Sequence, residues 1–174
     1  MHRFYDRPGG AATGITDSKL PDMQAGWEQG ITNTLAGLAG LNMCYEAVGM
    51  HASLLGFCHE SLILGDDLLG QAMRCVRGID VTEDNTSIDA MKQVCLGGPG
   101  HYLGSDQTLQ LMQTEYIYPA VANRMSPKEW NEAKKPLLLD KAIERKNAIL
   151  AKAGCMVSPE LDAAIRAKYP MHFK

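Results

Sequence analysis

Residues 21–45 read PDMQAGWEQGITNTLAGLAGLNMCY, and this stretch decides the fold. Pro21-Asp22 is a helix start signal, and Gly40 lies where a C-terminal cap belongs, so a helix is predicted between them. The uncharged run at 41–45 follows directly and is typical of a buried strand. The apolar positions of the helix recur at spacings of four and three: Met23, Trp27, Ile31, Leu35 and Leu38. A helix that leads at once into a buried strand is half of a repeating βα unit.

The pattern extends to both sides of this stretch. A short strand is predicted at 11–15, after an irregular lead-in that contains Pro8 and two glycines. A second apolar run at 61–64 predicts another strand, and Gly65-Asp66-Asp67 then opens a helix that ends before Gly78. Two or three short strands, each coupled to a helix, are typical of a parallel α/β fold.

The last third of the chain is helical and polar. Helices are predicted at 88–95, at 109–116, from the capping box Ser126-Pro127-Lys128-Glu129, at 139–150 with Gly154 as the end, and from Ser158-Pro159. A closed (β/α)8 barrel needs eight units and about 250 residues, more than this chain has. The sequence therefore predicts the C-terminal part of a TIM barrel at 1–80, followed by a helical C-terminal extension at 81–174.

Composition excludes several classes of protein. The 174 residues are 45% hydrophobic and 21% charged, with a net charge of -3, so a basic surface for nucleic acid or anionic membranes is not expected. We find neither an apolar run long enough for a membrane span nor the apolar centre of a secretory signal. The five cysteines are scattered and odd in number, which favours free thiols in a reducing cytoplasm.

The segment 16–26 (TDSKLPDMQAG) contains the strongest candidates for a functional site. It follows a predicted strand and precedes a helix, the position at which α/β barrels place their functional groups. Asp17, Lys19, Asp22 and Gln24 supply two carboxylates, an ammonium and an amide that can orient a small polar ligand. The alternative is that Asp22 only caps the helix and that Lys19 is only a solvated charge.

Three further residues are candidates on the same grounds. Asp66 follows the second predicted strand, where one residue of the Asp66-Asp67 pair caps a helix and the other faces a pocket. Tyr45 ends its strand and either borders a cationic ligand or packs in the core. His101 lies among four glycines at 97–104, a segment whose backbone is expected to pack closely or adopt positive φ. That histidine either faces a ligand or anchors the turn.

A metal site is a weaker alternative. His51, His59 and Asp66 could serve a metal-dependent hydrolase, and Cys58 adjoins His59. However, the two histidines are eight residues apart, no H-E-x-x-H motif is present, and neighbouring side chains point in different directions. We therefore expect no bound metal.

Taken in order, several segments resemble one known family. They are TDSK at 16–19, PD at 21–22, QAG at 24–26, AGLN at 39–42, YE at 45–46, GM at 49–50, RGI at 77–79, the glycine-rich run at 97–104 and TL at 108–109. Together they resemble the C-terminal part of the trimethylamine:corrinoid methyltransferase family, over nearly the whole chain. The resemblance implies a TIM barrel of which this chain is roughly the final third.

The resemblance also implies a reaction. A methyl group passes from trimethylamine or a related methylated or quaternary amine to the Co(I) centre of a separate corrinoid protein, which feeds methylamine catabolism or methanogenesis. The chain itself would bind no cofactor, the full-length protein would be a cytoplasmic homo-oligomer, and Asp17, Lys19, Asp22, Gln24, Tyr45, Asp66 and His101 would face the substrate or the corrinoid. An amine nitrogen leaves well only when it is positively charged before the bond breaks, and carboxylates and an aromatic ring suit a pocket that holds such a cation.

The catalytic residue itself is not identified. One branch of the family uses pyrrolysine, encoded by an in-frame amber codon, and no such residue occurs in this sequence. We hypothesise that the chain is the reading frame downstream of such a codon, and sequencing the DNA directly upstream would test this. The alternative function is a non-catalytic fragment or a helical module that binds a corrinoid protein or completes another subunit.

Overall fold

A parallel β-α-β unit begins the fold. The computed structural model describes residues 2–154 and 156–169. Strand β1 (Gly10–Ala12) pairs parallel with β2 (Met43–Tyr45), with Ala11 opposite Cys44. Helix α1 (Met23–Leu38) connects the two strands. The predicted order of strand, helix and strand is confirmed, with β1 at 10–12 instead of 11–15 and β2 shorter than the predicted 41–45. The second strand is not buried as expected, because Met43 and Tyr45 are exposed.

The ends of α1 follow from its sequence. The Asp22 carboxylate accepts a hydrogen bond from the Ala25 N–H at 3.0 Å, which satisfies a free donor of the first turn. At the other end, Gly40 adopts a φ of 71°, which an L side chain rarely tolerates. Both predicted boundary signals are therefore used.

A hairpin that the sequence did not indicate follows β2. Strands β3 (Met50–His51) and β4 (Gly56–Phe57) pair antiparallel, and α2 (His59–Arg77) begins two residues later. The predicted strand at 61–64 is wrong, because these residues lie inside α2. The predicted helix start at Gly65-Asp66-Asp67 is wrong for the same reason. A short apolar run fits a strand or a helix turn equally well, and here the helix continues through it.

Glycines allow α1 and α2 to pack closely. A Cβ placed on Gly37 of α1 would lie 2.5 Å from the Val76 side chain, and one placed on Gly30 would lie 3.8 Å from Leu68. On α2, a Cβ on Gly65 would lie 2.3 Å from Cγ1 of Val48, in the segment before the hairpin. Gly65 is therefore a position of close approach rather than a turn.

The C-terminal region is helical, as predicted. Its helices are α3 (Glu83–Thr86), α4 (Ile88–Cys95), α5 (Asp106–Glu115), α6 (Pro127–Glu132), α7 (Leu138–Leu150) and α8 (Pro159–Lys168). The capping box is formed, with the Ser126 and Glu129 side chains each bonded to the other's backbone N–H. After residue 80, the described part of the chain contains no strand. Only α3 was not expected, and α7 ends four residues before Gly154.

The C-terminal helices are attached to α2. Helix α7 packs against it, and Lys146 Nζ lies 2.6 Å from Glu60 Oε1 in a half-buried ion pair. Within the described residues, the buried apolar side chains are all small or medium-sized: Ala25, Ala36, Ala72, Val94, Val121 and Ala142. The α/β class is confirmed, whereas the partial barrel and the division at residue 80 stay predictions.

Two findings bear on the expectations from composition. Cys44, Cys58, Cys75 and Cys95 are free thiols, while Cys155 lies outside the described residues. Among the helices of the described ranges, none has both the length and the apolar character needed to cross a bilayer.

The close approach at Gly65 leads to a stability prediction. Gly65→Ala is expected to lower the free energy of unfolding by about 1–3 kcal/mol, because the Val48 side chain must move to make room. Gly70→Ala is the matched control in the same helix, since a Cβ there meets no atom within 4 Å. It should raise the free energy of unfolding by about 0.5–1 kcal/mol. Urea unfolding followed by circular dichroism measures both, and equal effects at the two positions would contradict the packing described here.

Candidate functional site

The loop that follows β1 contains the segment singled out in the sequence, and α1 holds this loop in place. The Thr13 hydroxyl donates to Asn33 Oδ1 at 2.8 Å, and the Gly14 N–H donates to Thr32 Oγ1 at 3.0 Å. A second amide contact, from Asn33 Nδ2 to the Ala47 carbonyl at 2.8 Å, ties the same helix to the segment after β2. The carboxyl ends of both parallel strands are therefore fixed to one helix.

Glu28 of α1 organises this loop. Its carboxylate accepts hydrogen bonds from Thr16 Oγ1 at 2.6 Å, from the Asp17 N–H at 2.9 Å and from Gln24 Nε2 at 2.9 Å. The Thr16 hydroxyl, followed by the Gln24 amide, lowers the pKa of the Glu28 carboxyl below its usual value. Sequence reasoning missed Glu28, although it is the one ionisable side chain in α1.

The hairpin fixes the position of Asp17. The Ser53 hydroxyl donates a short hydrogen bond to Asp17 Oδ1, and the Ser53 N–H donates to the Thr16 carbonyl at 3.1 Å. The hairpin tip is strained, because Ala52, Ser53 and Leu54 have φ values of 50°, 53° and 74°. Such conformations persist where the surrounding contacts hold them, as the bonds to the loop do here.

Four of the predicted residues lie in this loop and the first turn of α1. The Lys19 ammonium donates to the Asp17 carbonyl at 2.8 Å, and Gln24 is bound to Glu28. Asp22 is the N-cap of α1, and the hydrogen bond from the Ala25 N–H lowers its pKa. The structure thus brings Asp17, Lys19 and Gln24 together and gives Asp22 the capping role that was the alternative.

Tyr45 lies apart from the loop. It ends β2 opposite Ala12, and its ring runs back along the sheet, so that a Cβ on Gly10 would lie 2.6 Å from the Tyr45 hydroxyl oxygen. Thr13 faces α1, so the alternating residues Gly10 and Ala12 face the other side. The half-exposed Tyr45 ring therefore lies on the sheet face opposite α1.

Asp66 and His101 lie in elements other than the loop after β1. Asp66 is exposed in the interior of α2, and His101 is exposed between α4 and α5. The glycine-rich segment around His101 behaves as predicted, since Gly97 and Gly100 have φ values of 87° and 72°. A Cβ on Gly98 would lie 2.0 Å from the Gln93 carbonyl.

Asp67, rather than Asp66, has many partners. Its carboxylate accepts hydrogen bonds from the N–H groups of Ala120, Val121 and Ala122 at 2.7–2.9 Å. Burial raises the pKa of the Asp67 carboxyl, but the three N–H donors outweigh burial and the pKa is lowered overall. This contact joins α2 to the loop before α6.

His51 takes part in a buried polar cluster. Its Nε2 atom lies 2.5 Å from Ser61 Oγ, and Cys58 Sγ donates to the same oxygen at 3.0 Å. His59 and Asp66, by contrast, are exposed. Within residues 2–154 and 156–169, no three His, Cys, Asp or Glu side chains are grouped closely enough to hold a metal ion. The residues of the metal-dependent hydrolase alternative therefore do not form a ligand set.

The loop has an electrostatic preference. Asp17 and Asp22 of the loop and Glu28 of α1 supply three carboxylates in one region, because Glu28 bonds the Asp17 N–H and feels the charge of Asp22. Lys19, bonded to the Asp17 carbonyl, supplies one ammonium. A site with this balance of charge attracts cations in preference to anions. Its position at the carboxyl ends of parallel strands is where α/β folds bind ligands.

Comparison with known proteins gives a consistent result. The profile of a family described as trimethylamine methyltransferase (MTTB) matches residues 1–171. A glycine betaine methyltransferase from Desulfitobacterium hafniense (strain Y51) is 30% identical over 168 residues, which are 96% of this chain and 34% of that protein. The trimethylamine methyltransferase MttB of Methanosarcina thermophila is 36% identical over 112 residues, which are 64% of this chain and 23% of that protein. The chain spans about a third of the length of the curated relatives that it matches.

The bonds of Glu28 lead to a prediction about pH. Glu28→Gln is expected to lower the melting temperature at pH 7, because the charged acceptor of three donors is lost. A lowered pKa in the folded state means that the contribution is complete above the ordinary value of 4.5 and is lost as the pH falls through the folded value. The difference in melting temperature between wild type and variant should therefore shrink as the pH falls below 4.5. Glu144→Gln, at an exposed position on α7, is the control and should show little difference at any pH. If the melting temperatures of wild type and Glu28→Gln differ by the same amount at every pH, the charged Glu28 carboxylate does not stabilise the fold as described.

Proposed function

Because the chain belongs to the trimethylamine methyltransferase (MTTB) family, we propose that it is part of a corrinoid-dependent methyltransferase. The substrate is trimethylamine or a related methylated or quaternary amine, and the acceptor is the Co(I) centre of a cognate corrinoid protein. On this proposal the enzyme is cytoplasmic, and its full-length form is a homo-oligomer. The cobalt cofactor belongs to the partner, so this chain holds no cofactor of its own.

The observation that carries the proposal is the family match over 171 of the 174 residues. The matching relatives are named for two substrates, trimethylamine and glycine betaine. Both molecules present a nitrogen with three methyl groups, and glycine betaine has an additional carboxylate. The shared trimethylated nitrogen is the chemical feature that we assign to the substrate class.

The carboxylates in and beside the loop after β1 suit the positive charge of such a substrate. A quaternary ammonium has no N–H to donate, so a carboxylate attracts it by charge rather than by a hydrogen bond. The Ser53 hydroxyl donates to the Asp17 carboxylate, and the Ser53 N–H donates to the carbonyl of the neighbouring Thr16. These bonds hold Asp17 in a fixed position, which reduces the reorganisation needed when the cation binds. Gln24 and Asp22 support the same loop, through Glu28 and through the start of α1.

The remaining predicted residues have proposed roles outside the loop. The sheet face that carries Tyr45 would be the interior of a barrel, where its ring can contact a cation with a gain of about 0.5–2 kcal/mol. Lys19, Asp66 and His101 are exposed, and we assign them to the surface that meets the corrinoid protein.

The chemistry requires an amine that leaves with the electron pair of its C–N bond. A positively charged nitrogen leaves as a neutral amine, so the task of this chain is to hold the cation and exclude water. The Co(I) centre of the partner supplies the nucleophile for the methyl carbon. The contribution of the loop after β1 to methyl transfer is therefore to position the substrate cation.

The proposal predicts the effect of removing the Asp17 charge. In the full-length enzyme that contains this chain, Asp17→Asn is expected to lower kcat/KM for methyl transfer about 10-fold to 100-fold, because the substrate cation loses its fixed counter-charge. Cobalt methylation, followed by absorbance with a panel of methylated amines, measures this. Asp89→Asn, at an exposed position on α4, is the control and should leave kcat/KM unchanged.

Two results would speak against the proposal. An Asp17→Asn enzyme with wild-type kcat/KM would remove Asp17 from the substrate site while leaving the family reaction intact. If the wild-type full-length enzyme methylates cobalt with no amine in the panel, the chain is instead a non-catalytic fragment or an interaction module.

A further inference from the structure

The polar cluster of His51, Cys58 and Ser61 combines three reactive groups that the candidate site does not use. His51 ends β3, Cys58 directly precedes α2, and Ser61 lies in the first turn of that helix. His51 and Ser61 are 4% and 3% exposed, whereas Cys58 is only partly buried, so solvent meets the cluster at Cys58. Packing of the hairpin against the start of α2 therefore brings an imidazole, a hydroxyl and a thiol into contact.

The hydrogen bonds of the cluster form a path for a proton. The Cys58 thiol donates to Ser61 Oγ at 3.0 Å, and the same oxygen lies 2.5 Å from His51 Nε2. A serine hydroxyl accepts through its oxygen and has one proton to donate. With the thiol as donor to Ser61, the proton of the Ser61 hydroxyl is available to His51 Nε2. The path thus runs from Cys58 through Ser61 to His51.

The second ring nitrogen of His51 has no hydrogen-bond partner. Across residues 2–154 and 156–169, the Nδ1 atom of His51 is the one buried side-chain nitrogen or oxygen that makes no hydrogen bond. Buried polar atoms are nearly always paired, so an unpaired one calls for an explanation beyond structural support. When Nε2 accepts from Ser61, Nδ1 carries the proton of the neutral ring. The basic nitrogen of the ring is then the one that faces the path from the thiol.

The position of Cys58 suits a thiolate. Cys58 is the N-cap of the 19-residue helix α2, and its side chain accepts no capping hydrogen bond while the thiol donates to Ser61. A side-chain acceptor at an N-cap binds N–H groups of the first turn, and the positive end of the helix dipole favours a negative charge there. The Glu60 carboxylate, two residues further on, is paired with Lys146 Nζ at 2.6 Å, which offsets its repulsion of a thiolate.

We propose that Cys58 is a site of oxidation by hydroperoxides, activated by Ser61 and His51. The thiol proton passes to Ser61 Oγ while the Ser61 hydroxyl proton passes to His51 Nε2, which leaves a thiolate and an imidazolium. The thiolate sulfur attacks one oxygen of hydrogen peroxide and the O–O bond breaks. The departing hydroxide receives, through Ser61, the proton that His51 held, and leaves as water. Cys58 is thereby oxidised by two electrons to the sulfenic acid, and the peroxide is reduced to water.

Trapping of the sulfenic acid tests this proposal. The fully reduced 174-residue chain is mixed with hydrogen peroxide and a 1,3-dione that traps sulfenic acids, and mass spectrometry follows each cysteine over time. Cys75 is the matched control, because it is more exposed and lies in the last turn of the same helix. An ordinary thiol is a few per cent thiolate at pH 7, so we expect Cys58 to be trapped about 10-fold or more faster than Cys75. Trapping of Cys58 at the rate of Cys75 or below would overturn the proposal.

Two substitutions test the path of the proton. Ser61→Ala removes the hydroxyl between thiol and imidazole, and His51→Gln keeps a hydrogen-bonding side chain that cannot take up a proton. Each is expected to slow the trapping of Cys58 about 10-fold, because the thiol proton loses its acceptor. His59→Gln is the control, since His59 adjoins Cys58 in sequence but is exposed, and the rate should stay unchanged.

The variants separate activation by the path from activation by the helix start alone. If Cys58 is trapped as fast in folded Ser61→Ala and His51→Gln as in wild type, the helix start is sufficient and the proposal is wrong. Circular dichroism shows whether each variant is folded. The comparison of Cys58 with Cys75 needs no substitution, so it decides the proposal even where a variant fails to fold. None of these measurements depends on methyl transfer, so the proposal can fail while the proposed reaction stands.

Discussion

The close packing of α1 against α2 is the constraint on which the rest of the structure depends. Gly30 and Gly37 let the two helices approach, and Gly65 leaves room for Val48 beside α2. At these positions the glycines of α1 make room for the Leu68 and Val76 side chains of α2. The same approach brings α1 close enough to both strand ends for Asn33 to bond the segments on either side. The packing of the two helices and the position of the loop after β1 therefore both depend on α1.

Local signals predicted the elements whose ends are set by local chemistry. Asp22 and Gly40 bound α1, and Ser126 begins α6, because a cap acts within a few residues of itself. The strand predicted at 61–64 failed because an apolar run has no period that separates strand from helix. The hairpin of β3 and β4 was not predicted, for a different reason. Three residues at its tip, 52–54, have positive φ angles, but none of them is a glycine. The sequence therefore contains no residue type that predicts a turn there.

The same division applies to the candidate site. Asp17 and Lys19 could be grouped from the sequence because they are neighbours along the chain. Glu28 and Ser53 could not, since they lie 11 and 36 residues from Asp17 and reach it only through the packing of α1 and the hairpin. Tyr45 shows the converse, because its position at the end of β2 was expected while the direction of its ring depends on the space left by Gly10.

The three hydrogen bonds of Asp67 have a consequence for how the chain holds together. They join α2 to backbone that lies 53 to 55 residues further along, and the ion pair between Glu60 and Lys146 ties the same helix to α7. These contacts join the chain before and after the segment that contains α3 to α5. A protease that cut this segment would leave two pieces that remain associated, and they would separate only under denaturing conditions.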